Sequence, residues 1–230
     1  MLEVGFDLIS DLNLDPDDSF NWEGKATSLY CLIPGNISYD LRTVYQTLAH
    51  LSKLYQGIFY VPGLLEYKTA IDTEIRTKEL LVLMKKLPKV AMLHHHVVII
   101  DGVAILGANG WSADKEEDID TELVTNRLAD IAYLNKSIMK LQTHLDVQRI
   151  LILSACIPRR QLYFGKIPGH VDDHIYPDYC LQSDTEMKIS HWAFGGIETD
   201  VDTVLPGVHY INNPYFKKRP YWAKRITINL

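Results

Sequence analysis

Val4-Gly5-Phe6-Asp7-Leu8-Ile9-Ser10-Asp11-Leu12-Asn13-Leu14 is the stretch on which the fold turns. It is a near-continuous apolar run that ends in acidic loop residues, the pattern of a buried strand. Residues 29–34 form a second apolar strand, closed by Gly35-Asn36. Leu41, Val44, Tyr45, Leu48 and Leu51 follow at helical spacing, so a helix is expected over 39–55, stopped by Gly57. Residues 58–61 read as a third strand ended by Pro62-Gly63, and 67–86 as another helix ending before Pro88.

The middle of the chain changes character. Two apolar runs, 97–100 and 103–106, flank Asp101-Gly102. That dipeptide between strands is a strong hairpin signal. Residues 117–144 are polar and long enough for a helix, with room for a break. Strands are expected at 149–153, 191–194, 207–211 and 225–230. The order β-α-β-α, a hairpin, then β-α-β with a strand-rich end suggests helices covering sheets, an α/β or α+β chain.

The 230 residues suffice for one sizeable core, so a single domain over 1–230 is expected. A hydrophobic fraction of 47% and a charged fraction of 23% are ordinary for a globular protein. A net charge of −6 gives no global field attractive to nucleic acid or anionic membrane. Cys31, Cys156 and Cys180 form no Cys-x-x-Cys pair and no disulfide framework, which suits free thiols in a reducing compartment. No signal peptide and no apolar run of membrane length is visible, so a cytoplasmic protein is expected.

Five segments, in order, carry a resemblance. Phe6 to Leu14 resembles a strand followed by Asp-x-His, with Asp11 kept and Asn13 at the histidine. Leu32-Ile33-Pro34-Gly35-Asn36 resembles a strand followed by Gly-Asp, with Asn36 at the aspartate. Tyr60-Val61-Pro62-Gly63-Leu64-Leu65-Glu66-Tyr67 resembles a strand ending in Gly-Asn-His-Glu, with Leu64 and Leu65 at the asparagine and histidine. Ile150 to Pro158 resembles a strand ending in Thr-His-His-x-Pro, with Ala155 at the ligand histidine. His191 to Glu198 resembles a segment ending in Gly-His-x-His, with Gly196 and Glu198 at the histidines. The hairpin with Gly107 and Trp111 after it, and Asn213-Pro214, complete the pattern. The chain thus resembles the calcineurin-like metallophosphoesterases along almost its whole length. That resemblance implies a four-layer αββα sandwich with two central sheets.

In that family two divalent metals clamp a phosphate and generate a hydroxide nucleophile. The resemblance therefore implies a degenerate site. Hard cations want carboxylate and imidazole donors. Asn36 cannot neutralise two cations as a bridging carboxylate does, and Leu64, Leu65, Ala155 and Gly196 supply no donor. Leu65 also stands where the family's general acid is expected, a role that contributes roughly 10²–10⁴-fold. No metal cofactor and no catalytic residue is expected, Asp11 being the one retained ligand. A pair of manganese-, iron- or zinc-type ions belongs only to the alternative of an atypical working site. A second alternative is a module that binds phosphate or nucleotide without cleaving it.

Other signals have plainer readings. Residues 11–22 superficially resemble a calcium loop, but Pro16 takes the glycine position and Trp22 the last ligand position, which suits a solvated acidic loop. His94-His95-His96 alternate faces if they lie in a strand, so they do not converge on one metal. His170 and His174, around Asp172 and Asp173, are the second place to look for one. The acidic run 114–120 reads as a solvated loop. Lys217, Lys218, Arg219, Tyr221, Trp222, Lys224 and Arg225 form one basic, aromatic patch. It suits a protein interface, with nucleic acid the lesser reading. The overall expectation is a catalytically inactive structural or interaction protein with a protein partner or self-assembly and no membrane. Many compact single-domain relatives are bacterial or phage-encoded, which extends the expectation to a phage structural or accessory protein in the virion.

Overall fold

The computed structural model describes residues 2–112, 120–163, 188–217 and 220–230. His170, Asp172, Asp173, His174 and Cys180, Lys218 and Arg219, and nearly all of the acidic run lie outside the described residues.

Strands β1 (Glu3–Leu8), β2 (Tyr30–Pro34), β3 (Gly57–Val61) and β4 (Val90–Met92) run parallel, and β11 (Lys224–Asn229) closes this sheet antiparallel to β1. The first sheet has the order β11-β1-β2-β3-β4. The second is built from β5 (Val97–Ile100), β6 (Val103–Ala108), β7 (Arg149–Ser154), β8 (Ile189–Phe194), β9 (Asp202–Leu205) and β10 (Val208–Ile211). Its order is β5-β6-β7-β8-β10-β9, with β6, β7, β8 and β10 parallel.

Residues on the central strands alternate between two apolar environments. Leu32, Leu151 and Ala193 pack between the sheets, whereas Cys31, Ile33, Ile150 and Ile152 pack outward under helices. A strand buried on both faces needs apolar residues at every position, which is why the sequence there shows continuous runs. Helices α1 (Leu41–Leu51), α2 (Leu64–Tyr67) and α3 (Thr73–Met84) cover the first sheet, and α4 (Thr121–Gln142) covers the second. The result is the four-layer sandwich. The layers meet closely at Gly107, where a Cβ would lie 2.2 Å from the Leu93 Cβ.

The helix starts have local causes. Asp40, Asp72 and Asp120 each accept from the backbone N–H three residues on, capping α1, α3 and α4. The expected single helix over 67–86 is two, because Asp72 begins a new helix after the short α2. The Asp101-Gly102 hairpin forms as expected, both residues at positive φ of 47° and 85°. β9, a four-residue hairpin partner of β10, carried no clear pattern in the sequence. No helix among the described residues is long and apolar enough to cross a membrane.

Candidate functional site

A cleft of about 820 Å³ opens at the carboxyl ends of the parallel strands of both sheets. This is where open α/β sheets generally place ligands. The loop after β1 brings Asp11 and Asn13, the loop after β2 brings Asn36, and α2 brings Leu64 and Leu65. Ala155 follows β7, and Gly196 and Glu198 follow β8. All eight positions singled out in the sequence therefore line one cleft.

Asp11 sits at the centre. Its Oδ1 accepts from the Asn36 Nδ2 at 2.9 Å and from the Gly196 N–H at 2.8 Å. Its Oδ2 is buried and has no hydrogen-bond partner. The Ser10 hydroxyl lies close enough to favour the charged form without reaching hydrogen-bond geometry. Burial outweighs these donors and pushes the carboxyl up to about 6. The neighbouring Glu198 charge adds a smaller push in the same direction.

Asn36 is held on both sides. Its Oδ1 accepts from the Leu65 N–H at 3.1 Å, and its backbone carbonyl accepts from the Asn13 N–H at 2.9 Å. Asn13 in turn donates its Nδ2 to the Asp11 carbonyl. Asp11, Asn13 and Asn36 have φ of 52°, 47° and 57°. Asp and Asn tolerate this left-handed region best among non-glycine residues, so their identities also suit the backbone.

Glu66 has a role that motif matching does not reveal. Its buried carboxylate accepts the backbone N–H groups of Asn36 at 3.1 Å, Ile37 at 2.7 Å and Gly63 at 2.8 Å. One side chain thus ties the loops after β2 and β3 together. Burial pushes Glu66 up to about 7, against the backbone donors that favour its anion.

The loops then close on one another. A Cβ at Gly35 would lie 2.6 Å from the Gly63 nitrogen and 2.7 Å from the Ala155 Cβ. A Cβ at Gly63 would lie 2.4 Å from the Asn36 Oδ1. Gly196 has φ +81°, and a Cβ there would meet the Ala155 carbonyl oxygen at 2.9 Å. The backbone at 196 is therefore shaped for glycine, and a histidine there is strained.

A pair of hard divalent cations does not fit these residues. The Asn36 side chain is a neutral amide hydrogen-bonded to the Asp11 carboxylate. Leu64, Leu65, Ala155 and Gly196 contribute no side-chain donor. Among the described residues no group of three histidine, cysteine, aspartate or glutamate side chains is arranged to hold a metal ion.

The remaining wall comes from Tyr67, Lys68, Ser112, Asp120, Leu123 and Ile197, none of which stood out in the sequence. Asp120 and Leu123 arrive there through the α4 cap, the one signal available for them. Trp111 packs on Tyr67, with ring centres 4.9 Å apart, and Asn109 bonds both Pro62 and Trp111. Asn213 ties the end of β1 to the C-terminal loop by donating to the Leu8 and Trp222 carbonyls.

The histidine triplet lies in the loop before β5, not in a strand, and the alternate-face reading fails there. The His94 and His95 rings stack 4.8 Å apart, His95 stacks on Tyr133, and its Nε2 meets buried Asp130 at 2.5 Å. The acidic loop 11–22 is anchored in its middle and at its end: Lys217 pairs with Asp15 and Asp18, and the buried Trp22 donates to the Tyr55 hydroxyl. The C-terminal patch is divided. Tyr221 is buried and bonds Ser10 and Asn213, Lys224 pairs with Asp200, Arg225 reaches the Thr27 carbonyl, and Trp222 is 64% exposed. Cys31 and Cys156 are buried free thiols.

Fold and cleft position together define a four-layer α/β sandwich with its cleft at the strand ends. Solved structures of the same fold include the phosphopantetheinyl hydrolase PptH from Mycobacterium tuberculosis. It matches with a TM-score of 0.65 at 15% identity, over 97% of this chain and 96% of that one. A putative 5'-nucleotidase from Staphylococcus aureus, in complex with alpha-ketoglutarate, matches with a TM-score of 0.59 at 10% identity, over 99% of this chain and 51% of that one. No protein-family model and no curated protein matches the sequence.

Proposed function

We propose that this chain is a phosphoesterase-fold protein that no longer performs two-metal hydrolysis and works by binding. The observation that carries the reading is the Asn36–Asp11 hydrogen bond. Two cations bridged by one carboxylate need negative charge between them to offset their repulsion. Here a neutral amide occupies that position and donates to the one ligand that remains. Leu65 in place of the expected general acid supports the same conclusion, as does the glycine-shaped backbone at residue 196.

The test is hydrolysis of bis-p-nitrophenyl phosphate with manganese present. The expected result is a rate no higher for the wild-type chain than for Asp11→Ala. Turnover that disappears in Asp11→Ala overturns the reading and favours a working site of unusual composition.

A further inference from the structure

Among the described residues the cleft presents more carboxylates than cations. Its amide groups are directed at the chain's own oxygens: Gly196 N–H and Asn36 Nδ2 to Asp11, and Leu65 N–H to Asn36. These are the groups an oxyanion would need. Against them stands a buried Asp11 Oδ2 that makes no hydrogen bond, the Ser10 hydroxyl being the donor nearby, on a side chain only 5% exposed that lines the cavity. Among the described lining residues, Asp11, Asp120 and Glu198 carry negative charge, and Lys68 alone carries positive charge.

Part of the remaining wall is apolar, beside the polar Asn13, Tyr67 and Ser112. Leu64, Leu65, Leu123 and Ile197 stand along a cavity of about 820 Å³, within the size range of small-molecule sites. A phosphate ester brought here meets the Asp11 carboxylate and finds the Gly196 N–H, Asn36 Nδ2 and Leu65 N–H already engaged. A buried acceptor without a partner is costly, and a ligand that supplies a donor recovers that cost.

We propose that this cleft binds a small organic cation, a primary ammonium on an apolar body. The ammonium pairs with the Asp11 carboxylate, with Glu198 at the rim adding attraction. The body lies against the leucine and isoleucine wall. This rests on the reading that the cleft holds no metal pair.

The experiment titrates the full chain with 2-phenylethylammonium, 2-phenylethanol and phenyl phosphate, at pH 8 and low salt, by calorimetry. Saturable binding of the amine is expected, with the alcohol at least about tenfold weaker, since a charged hydrogen bond is lost. Phenyl phosphate is expected not to bind. Asp11→Asn should weaken the amine by about tenfold or more, and the exposed rim change Glu198→Gln by a few-fold, in a salt-dependent way. Phenyl phosphate binding in preference to the amine, no amine binding, or amine affinity unchanged in both variants overturns the proposal. Release of phenol from phenyl phosphate marks instead the failure of the non-catalytic reading, so the two failures are told apart.

Discussion

Asp11→Asn should stabilise the protein at alkaline pH, the opposite of what loss of a working metal ligand would do. Burial raises the Asp11 carboxyl from its ordinary 3.8 to about 6. At about 1.4 kcal/mol for each tenfold change in proton affinity, holding the anion in the fold at pH 8 costs about 3 kcal/mol. The sign follows from linkage: the folded state binds this proton more tightly than the unfolded chain does. Its contribution to stability is fully present below pH 3.8 and is lost as the pH rises through about 6. Asparagine is the near-isostere of the protonated acid and keeps an oxygen for Asn36 and Gly196. It also tolerates the φ of 52° at this position. The variant should therefore gain about 1–3 kcal/mol at pH 8, or roughly 2–10 °C in melting temperature for a chain of this size. The gain should shrink as the pH falls through 6 and vanish below 3.8. Urea denaturation followed by tryptophan fluorescence, repeated across this range with manganese and with a chelator, measures it. A variant less stable than wild type at pH 8, or a gain that does not change with pH, refutes the reasoning.

Glu66→Ala should destabilise by about 3–5 kcal/mol, because three buried N–H groups lose their acceptor at about 1–3 kcal/mol each with partial relaxation. Denaturant melts of soluble protein, or recovery only as aggregate, report this. Gly35→Ala should cost about 2–4 kcal/mol, combining overpacking against Gly63 with a left-handed φ of 70°, again by denaturant melt. His95→Ala should cost about 1–3 kcal/mol by removing the partner of buried Asp130 Oδ1, with Gly110 still donating to Oδ2. Asn36→Asp, which replaces the donor to Asp11 with a second carboxylate, should lower the melting temperature more at pH 8 than at pH 5.

Much of this architecture was legible from runs and turns. The strands 30–34, 57–61 and 149–154 are buried on both faces, so their apolar continuity survives in the sequence without a partner to decode it. Asp101-Gly102 announces its hairpin because few other dipeptides adopt two positive φ values. The break between α2 and α3 was harder, because Asp72 as a cap looks like any polar helix residue until its side chain is seen on the Ile75 N–H. β9 is four residues long and half-exposed, too short for a period to emerge.

The cleft positions were legible through their order along the chain, which placed all eight on one wall. What joins them was not. Glu66 serves residues about thirty positions away, and Asp11 meets Gly196 across 185 positions, contacts that no local pattern encodes. The histidine triplet misled because the alternate-face argument presumes a strand, and His95 instead sits in a loop at φ 51°. Tyr221 joined the surface patch by composition alone, whereas its hydroxyl is spent inside on Ser10 and Asn213.

The most direct test of the account is the manganese content of the purified chain after equilibration with excess Mn²⁺ and removal of free ion, measured by inductively coupled plasma mass spectrometry. The account predicts well under one ion per chain, unchanged in Asp11→Ala. A stoichiometric pair of ions that is lost in Asp11→Ala would contradict it.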